Sequence, residues 1–192
     1  APDFKVEIEG REIDPRAVRD MLEVKVTLES ENLSGFSFVA NNWDDEEFTF
    51  KYSDTKLFDL GNQVHVQMGY ADGLKSMIKG QITKLAPRFP ESGPSTINVS
   101  GQGGMLKLRD RKPKEGETKK YVKIFDWEIA QIVAQRNGLT ARVTRDGEQH
   151  DLVVQKNQDD AQFLLERAKR IDFDCYVQID ASNGEEVLYF GR

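Results

Sequence analysis

The sequence predicts an α+β protein in which an antiparallel β unit comes first and a small α/β unit follows. Two observations predict this order. Across residues 4–106, apolar and polar residues alternate with a period of two, in short segments that turn residues separate. After residue 113, helix-length apolar patterns alternate with short strands. Many short strands with frequent turn signals favour a sandwich or a barrel over a parallel sheet.

The first strands show the alternation most clearly. One face of "FKVEIEG" and of "LEVKVTLES" is apolar, and it consists of Phe4, Val6, Ile8, Leu22, Val24, Val26 and Leu28. This pattern predicts two strands with one buried face each. Further strands are predicted in FSFVANN, FTFKYSD, QVHVQMGYADG, LKSMIKGQITKLAPRF and STINVSGQG. Ala71-Asp72-Gly73 is predicted to be a hairpin turn.

The segment from Lys107 to Lys120 interrupts the strand pattern. It is poor in apolar residues and contains Pro113 and Gly116. Such a segment is typical of an exposed connection. We therefore predict two domains, residues 1–112 and 113–192.

The first predicted helix lies in "IFDWEIAQIVAQRNGL". Asp126 is its predicted N-cap, and Asn137-Gly138 gives the stop signal. Its apolar stripe is predicted to consist of Ile129, Ile132 and Val133.

The remainder of the second domain is predicted to be two strands, a helix and a hairpin. The strands TARVTRD and QHDLVVQK are linked near Asp146-Gly147. The helix covers about residues 158–170. FDCYVQID and EVLYFGR then form a closing hairpin around Ser182-Asn183-Gly184.

The amino-acid composition argues against several functional classes of protein. The chain has 192 residues, a net charge of −6 and 38% hydrophobic residues, which is a polar but globular profile. The net negative charge disfavours nucleic-acid binding over the whole surface. Cys175 is the only cysteine, which excludes an internal disulfide and a cysteine-based zinc site. We expect neither a membrane span nor a signal peptide.

Asp159 and Asp160 are the most prominent candidate site residues. Adjacent carboxylates could bind a metal or perform general acid/base chemistry, or they could start a helix. With Asn157 as N-cap, Asp160 falls at the third helical position and completes a capping box. Both carboxylates also complement the positive end of the helix dipole. The helix is expected to bury Ala161, Leu164, Leu165, Ala168 and Ile171. The capping hypothesis accounts for both aspartates, so we predict no metal or catalytic role for them.

Two charged segments are further candidates. Asn41–Phe48 contains four consecutive acids, but the spacing does not match an EF-hand loop, so we predict a solvated loop between strands. A role in docking on a basic partner stays open. The segment from Lys107 to Lys123 could meet phosphate or an acidic protein surface. It lacks the interleaved aromatic residues of a single-strand-binding groove, which favours a solvated connection.

The chain offers few candidate nucleophiles or bases. His65 lies in a predicted strand and His150 near a predicted turn. Neither belongs to a local signature of a Ser-His-Asp or Cys-His site. "SGQGG" (Ser100 to Gly104) resembles a phosphate loop but lacks the Lys-Ser/Thr ending, and a β-turn explains it equally well. We therefore predict no catalytic, cofactor or metal site, and no enzyme activity. An interaction module is the class that the residues favour.

Several segments of the chain follow one another in a distinctive order. A "G-x-I" strand at Gly80-Gln81-Ile82, a "V-S-G" strand at Val99-Ser100-Gly101 and a charged connection come first, and a helix ending in Gly138-Leu139 follows. The capped helix in "VVQKNQDDAQFLLERAKRIDFDCYV" and the closing hairpin with "LYFGR" come last. This order of segments resembles that of phage late-control protein D and the VgrG-like baseplate hub family, and the resemblance spans nearly the whole chain. Asp172 stands where relatives tend to carry glycine.

The resemblance implies an N-terminal antiparallel β-barrel (a tube-like hub domain) followed by a small α/β insertion domain of two helices with β-hairpins. It implies a structural hub or spike component of a phage tail or related contractile injection machine, including type VI secretion. Such a component joins the hexameric tail tube to the trimeric spike. The expected partners are the tail tube protein, spike and baseplate proteins, and two further copies in a homotrimer. Nucleic acid is expected only as cargo passing through the channel.

The resemblance also implies assembly in the bacterial cytoplasm into a virion tail or injection particle. The chain stops about where a second barrel would begin, as expected of a truncated form, a proteolytic fragment or a shorter homologue. The alternative functions are a glycan- or peptidoglycan-binding tail module and a cell-wall hydrolase. A hydrolase would require paired carboxylates that converge in a cleft.

Overall fold

A computed structural model describes residues 2–28, 34–53, 55–70, 73–109, 118–180 and 182–192. The chain divides into two compact units between Gly103 and Gly104. The predicted boundary between residues 112 and 113 lies outside the described residues. So do the first two residues of the predicted turn at Ala71-Asp72-Gly73.

The first unit is built around a seven-stranded antiparallel sheet. The strands and helix of the unit are β1 (Pro2–Ile8), β2 (Arg11–Glu12), α1 (Pro15–Asp20), β3 (Met21–Thr27), β4 (Gly35–Asn41), β5 (Trp43–Asp44), β6 (Thr49–Phe50), β7 (Gln63–Tyr70), β8 (Gly73–Arg88) and β9 (Thr96–Gly103). The strands of the sheet follow the order β2-β1-β7-β8-β9-β4-β3. The predicted hairpin between β7 and β8 is confirmed by the pairing of Tyr70 with Gly73.

The first unit has its own apolar core. Period-two alternation places every second side chain of a strand on the same face, and those faces meet in the core. The buried residues are Val6, Ile8, Ile13, Ala17, Phe36, Phe38, Ala40, Phe58, Val64, Val66, Ile78, Ile82, Ile97 and Val99. Full burial of one such side chain contributes roughly 1.5–3 kcal/mol.

The predicted buried face of β3 is partly wrong. Leu22 is 64% exposed and Leu28 is 59% exposed. A register shift between Met21 and Glu23 leaves Leu22 without a partner on β4. Such a bulge interrupts the alternation of faces. Leu28 lies just beyond the last residue of the strand.

Two local predictions in the first unit also need correction. FTFKYSD forms only the two-residue strand β6, which pairs with β5. Helix α1 was not predicted, although its signal is present in the sequence. Asp14 Oδ1 accepts a hydrogen bond from Arg16 N at 2.7 Å, and Pro15 occupies the first helical position. An acidic cap followed by proline is a usual helix start.

Gly80 and Gly101 explain why two segments of the resemblance require glycine. A Cβ on Gly80 would lie 2.4 Å from the carbonyl oxygen of Gln102. A Cβ on Gly101 would lie 2.3 Å from the carbonyl oxygen of Gln81 and 2.1 Å from the Phe36 ring. Strands β8 and β9 approach each other more closely here than a larger side chain permits.

The α+β class is confirmed, because most of the structure is antiparallel sheet and the helices lie between the strands. The hydrogen-bonded order of the described strands runs from β2 to β3 without returning to its start. The pairings between the described strands therefore do not close the sheet into a barrel.

The described part of the second unit contains two helices of eleven residues and two small sheets. The elements are α2 (Leu106–Arg109), β10 (Thr118–Ile124), α3 (Asp126–Arg136), β11 (Thr140–Val143), β12 (His150–Lys156), α4 (Asp160–Arg170), β13 (Asp174–Ile179) and β14 (Glu186–Gly191). Strand β10 pairs with β12, and the other sheet has the order β11-β14-β13. The closing hairpin β13–β14 is confirmed, while β11 and β12 lie in different sheets.

The helices of the second unit pack much as predicted, apart from Ile132 of α3. Leu165 and Ile171, predicted to be buried, are only partly buried. Ile129 and Val133 are fully buried, but Ile132 is 42% exposed, and Ala130 and Ala134 complete the stripe. Helix α3 ends at Arg136 with Asn137 as its C-cap, and Gly138 follows with φ +71°, as predicted. Helix α4 buries Ala161, Leu164 and Ala168 as predicted, together with Phe163 and Arg167.

No helix within the described ranges has the length and apolar character that crossing a membrane would require.

Candidate functional sites

The two adjacent aspartates have different roles, and the predicted capping arrangement is wrong in detail. Asp159, not Asn157, is the N-cap of α4: its Oδ1 accepts a hydrogen bond from Gln162 N at 2.8 Å. Asp160 occupies the first helical position instead of the third. Its side chain is fully buried and points into a polar network, so capping explains Asp159 only.

Four donors surround the Asp160 carboxylate. Arg136 Nε donates to Oδ2 at 2.8 Å, and Arg136 Nη2 donates to Oδ1. Asn137 Nδ2 donates to Oδ2 at 2.9 Å, and Gln155 Nε2 donates to Oδ1 at 2.8 Å. Burial acts to raise the pKa of Asp160, but the hydrogen bonds from Arg136, Gln155 and Asn137 outweigh it and lower the pKa below its ordinary value.

The network extends to Tyr121 on strand β10. Arg136 Nη1 donates to the Tyr121 hydroxyl at 2.8 Å, and that hydroxyl donates to Gln155 Oε1 at 3.1 Å. Burial raises the pKa of Tyr121 above its usual value. The hydrogen bonds therefore connect α3, α4, β10 and β12. Because Asp160 is already occupied by four donors, it is a poor metal ligand or general base, and the geometry gives it a structural role.

A second buried carboxylate, Asp126, was predicted to cap α3. Phe125 is the N-cap instead, and Glu128 Oε2 accepts a hydrogen bond from Phe125 N at 2.9 Å. Asp126 Oδ1 accepts from Arg167 Nε at 2.5 Å, and Asp126 Oδ2 lies 2.9 Å from His150 Nε2.

His150 lies at the start of β12, and its Nε2 has both a hydrogen-bond donor and a hydrogen-bond acceptor as neighbours. Its Nε2 lies 2.7 Å from Arg167 Nη2 as well as 2.9 Å from Asp126 Oδ2. An arginine N–H needs an acceptor, whereas a carboxylate needs a donor, so Nε2 can satisfy only one of them in a given protonation state.

The structure brings together a third polar group, which no local pattern in the sequence indicates. His65 Nδ1 lies 3.1 Å from Glu7 Oε2, and His65 Nε2 lies 2.5 Å from Ser76 Oγ. A carboxylate, an imidazole and a hydroxyl linked in this order resemble an acyl-transfer triad. The hydrogen bond from Lys5 is the largest cause of the lowered pKa of Glu7.

The surroundings of this group favour a structural role. Glu7, His65 and Ser76 lie on the neighbouring strands β1, β7 and β8. Glu7 and His65 alternate with the buried residues Val6 and Val66, so they lie on the outward face of the sheet. Acyl transfer also requires oxyanion donors directed into a substrate cleft, which the outward face of a sheet does not provide. We interpret the group as a cross-strand polar ladder.

The predicted solvated loop Asn41–Phe48 is confirmed only for Asp45–Phe48, the exposed tip of the β5–β6 hairpin. Asn41 is the last residue of β4, Asn42 is buried, and Trp43–Asp44 form β5. Asp44 Oδ1 accepts hydrogen bonds from Glu46 N at 2.9 Å and Glu47 N at 3.1 Å. These backbone donors, that of Glu47 first, lower the pKa of Asp44. Phe48 follows with φ +51° and is 78% exposed. Among the described residues, no three His, Cys, Asp or Glu side chains converge as metal ligands would.

The described ends of the basic segment from Lys107 to Lys123 lie in two different elements. Lys107 lies in α2 and pairs with Glu186, while residues 118–123 belong to strand β10. Residues 110–117 lie outside the described part of the chain. The prediction of a connection therefore missed β10, because its lysines obscure the alternation of Tyr121 with exposed neighbours.

The remaining candidates have ordinary structural explanations. Ser100–Gly103 belongs to β9, and Gly104 follows with φ +60°, so "SGQGG" ends a strand. Cys175 is buried, and burial raises the pKa of its thiol to about 12, which makes it a poor nucleophile.

Comparison with solved structures shows which proteins share this fold. The 43 kDa tail protein of prophage MuSo2 from Shewanella oneidensis matches with a TM-score of 0.69 and 20% identity, over 98% of this chain and 53% of that chain. A component of the type VI secretion system from E. coli matches with a TM-score of 0.61 and 13% identity, over 97% of this chain and 48% of that chain. That component is structurally similar to the T4 bacteriophage tail proteins gp27 and gp5. The VgrG–PdpA complex of Francisella matches with a TM-score of 0.58 and 7% identity, over 99% of this chain and 31% of that chain.

These matches confirm the predicted resemblance to the VgrG-like hub family at the level of the fold. The chain spans about half the length of the two tail-related proteins. A comparison with curated protein sequences gives no match. A family model described as the Alg8 N-terminal domain matches residues 1–183. Because that match covers nearly the whole sequence, the chain belongs to the Alg8 N-terminal domain family.

Proposed function

We propose that the protein is a structural component of a phage tail or a related contractile injection machine. The observation that carries this proposal is the fold: 97–98% of the chain matches half of a prophage tail protein and half of a type VI secretion component. A fold by itself does not define a function, so the site chemistry must agree with it.

The site chemistry agrees with a structural role. The Asp160 carboxylate is occupied by four donors, and Asp126 is paired with Arg167. The linked side chains of Glu7, His65 and Ser76 are partly buried on the outward face of the sheet. Ionisable groups that are arranged in this way stabilise packing and are not positioned around a substrate.

Within such a machine, we assign the chain to the hub that joins the hexameric tail tube to the trimeric spike. The first unit would supply a barrel wall, with the seven-stranded sheet as its main part, and the second unit would be the insertion that follows it in the chain. The protein would form a homotrimer and would contact tube, spike and baseplate proteins. Assembly in the bacterial cytoplasm into a virion or injection particle follows, and nucleic acid is involved only as cargo.

A capture experiment tests the proposal against the glycan-binding alternative. The protein is passed over immobilised tail tube protein and over purified peptidoglycan in parallel. The proposal predicts retention on the tube protein and none on peptidoglycan. Retention on peptidoglycan alone would contradict the proposal and support a wall-binding tail module.

A further inference from the structure

Strands β10 and β12 expose an apolar and basic face, which we call the ribbon face. The two strands form a two-stranded antiparallel sheet in which Val122 pairs with Leu152 and Lys120 pairs with Val154. Alternation places Tyr121, Val153 and Gln155 on the packed side and the neighbouring residues on the opposite side. The ribbon face consists of Thr118, Lys120, Val122, Leu152, Val154 and Lys156.

The ribbon face is unusually apolar for a protein surface that is exposed to solvent. Val122 is 64% exposed and Leu152 is 55% exposed, and they lie directly opposite each other. Lys120 and Lys156 flank them, and neither lysine forms an ion pair within the part of the chain that the structure describes. Adjacent exposed aliphatic side chains with unpaired cations beside them fit a partner that is both apolar and acidic.

The chain itself carries a segment of that chemistry in the hairpin tip Asp45–Phe48, which we call the acidic tip. Phe48 is the most exposed large hydrophobic residue that the structure describes, and three acids precede it. Arg16 and Arg19 line a cavity with Asp44, Asp45 and Glu46, but Glu47 and Phe48 lie outside that lining. The Trp43 and Phe50 rings at the base of the hairpin pack edge to face at 5.5 Å, so the tip stands on a packed base.

The charge distribution along the chain also makes the first unit the acidic part of the molecule. Residues 1–103 contain 11 Lys or Arg and 17 Asp or Glu, whereas residues 104–192 contain 16 of each. The whole net charge of −6 therefore belongs to the first 103 residues. A head-to-tail contact brings the acidic first unit of one copy to the neutral second unit of the next without like-charge repulsion.

We propose that the ribbon face of one copy binds the acidic tip of a second copy. Phe48 would cover Val122 and Leu152, and Glu46 and Glu47 would meet Lys120 and Lys156. This inference deepens the proposed function and rests on it, because it assigns one contact between copies of a ring-forming subunit. A contact between two different surfaces of the same chain is heterologous, and such contacts close into rings when the rotation permits.

Cross-linking between two different variants tests the contact directly. A Phe48→Cys chain is mixed with a Val122→Cys chain under mild oxidation, and disulfide-linked dimers are quantified. The control mixture pairs Val122→Cys with Leu60→Cys, because Leu60 is a similarly exposed residue of the first unit. Cys175 is buried and does not compete. The proposal predicts dimers in the first mixture well above those in the control, whereas equal amounts would overturn it.

Charge reversal supplies an independent test by sedimentation. Lys120→Glu with Lys156→Glu should weaken self-association by about fivefold, the effect of losing two exposed ion pairs. Glu46→Lys with Glu47→Lys should do the same, and combining all four changes in one chain should restore association. Lys75→Glu with Lys84→Glu is the control, since both lysines are exposed on β8. Loss of association in the control as large as in the ribbon variant would contradict the assigned surface.

The capture experiment on tube protein separates this inference from the proposed function. If the Phe48→Cys and Val122→Cys chains fail to cross-link while the unmodified protein is still retained by tube protein, the contact is wrong and the function stands. If they cross-link but the protein is not retained by tube protein, the contact stands and the function is wrong.

Discussion

Arg136, the last residue of α3, donates two hydrogen bonds to the carboxylate of Asp160, the first residue of α4. A second pair runs in the opposite direction, from Arg167 on α4 to Asp126, the first residue of α3. Each helix therefore presents its first carboxylate to an arginine of the other helix. Each carboxylate also lies at the positive end of its own helix dipole. The two reciprocal pairs hold the start of each helix against the other helix and fix the register between them.

We predict that Asp160→Ala destabilises the second unit far more than Asp159→Ala. Removal of Asp160 takes one buried acceptor from each of Arg136, Asn137 and Gln155 and leaves the Arg136 charge without its carboxylate, which costs about 3–5 kcal/mol. Removal of the Asp159 cap costs about 1 kcal/mol. Urea unfolding followed by circular dichroism measures both values. Equal losses would show that the two aspartates have the same role after all.

The pH dependence of stability follows from the same network. The pKa of Asp160 is lowered in the folded protein, so the unfolded chain takes up its proton first as the pH falls. The contribution of Asp160 is therefore fully present above the ordinary carboxyl pKa near 3.8 and is lost as the pH falls through the lower folded value. Urea unfolding between neutral pH and acid should show a steeper acidic loss in the unmodified protein than in Asp160→Asn. Parallel curves for the two proteins would contradict this origin of the pH dependence.

Gly101→Ala should destabilise the first unit by roughly 1–3 kcal/mol or more, because the carbonyl oxygen of Gln81 and the Phe36 ring leave no room for a Cβ. Gly61→Ala is the matched control: its φ is +89° with open space around it, so the cost is backbone strain of about 1–2 kcal/mol. Thermal unfolding of the two variants measures the difference. A smaller loss for Gly101→Ala than for Gly61→Ala would mean that β8 and β9 do not approach each other so closely.

Substitution of Asp172 tests whether this departure from the family pattern lowers the free energy of unfolding. Its φ is +56°, a left-handed conformation that glycine adopts without strain. In Asp172→Gly, relief of strain and the added freedom of the unfolded chain nearly cancel, so we expect a change within about 0.5 kcal/mol. Asp172→Val should cost about 2 kcal/mol, because a β-branched residue is poorly tolerated there. A valine variant as stable as the glycine variant in urea unfolding would argue against a left-handed residue at this position.

The sequence predicted what local patterns determine and missed what distant residues determine. Alternation located most strands of the first unit, and the cap and stop residues located α3 and α4 to within a few positions. The partner of Asp160 could not be found in this way, because Arg136 is 24 residues earlier and meets it only when the helices pack. The same is true of Ser76 and His65, which lie on different strands. The missed helix α1 is a different case, since Asp14-Pro15 was a readable start signal.

The location of this protein in purified particles tests its proposed role as a structural part of a contractile tail or injection particle. Particles are isolated from the producing bacterium, labelled with a gold-conjugated antibody against this chain, and viewed by negative-stain electron microscopy. We expect label at the spike end of the tail tube. Particles that carry no label, with the protein recovered in the cell-wall fraction instead, would contradict it.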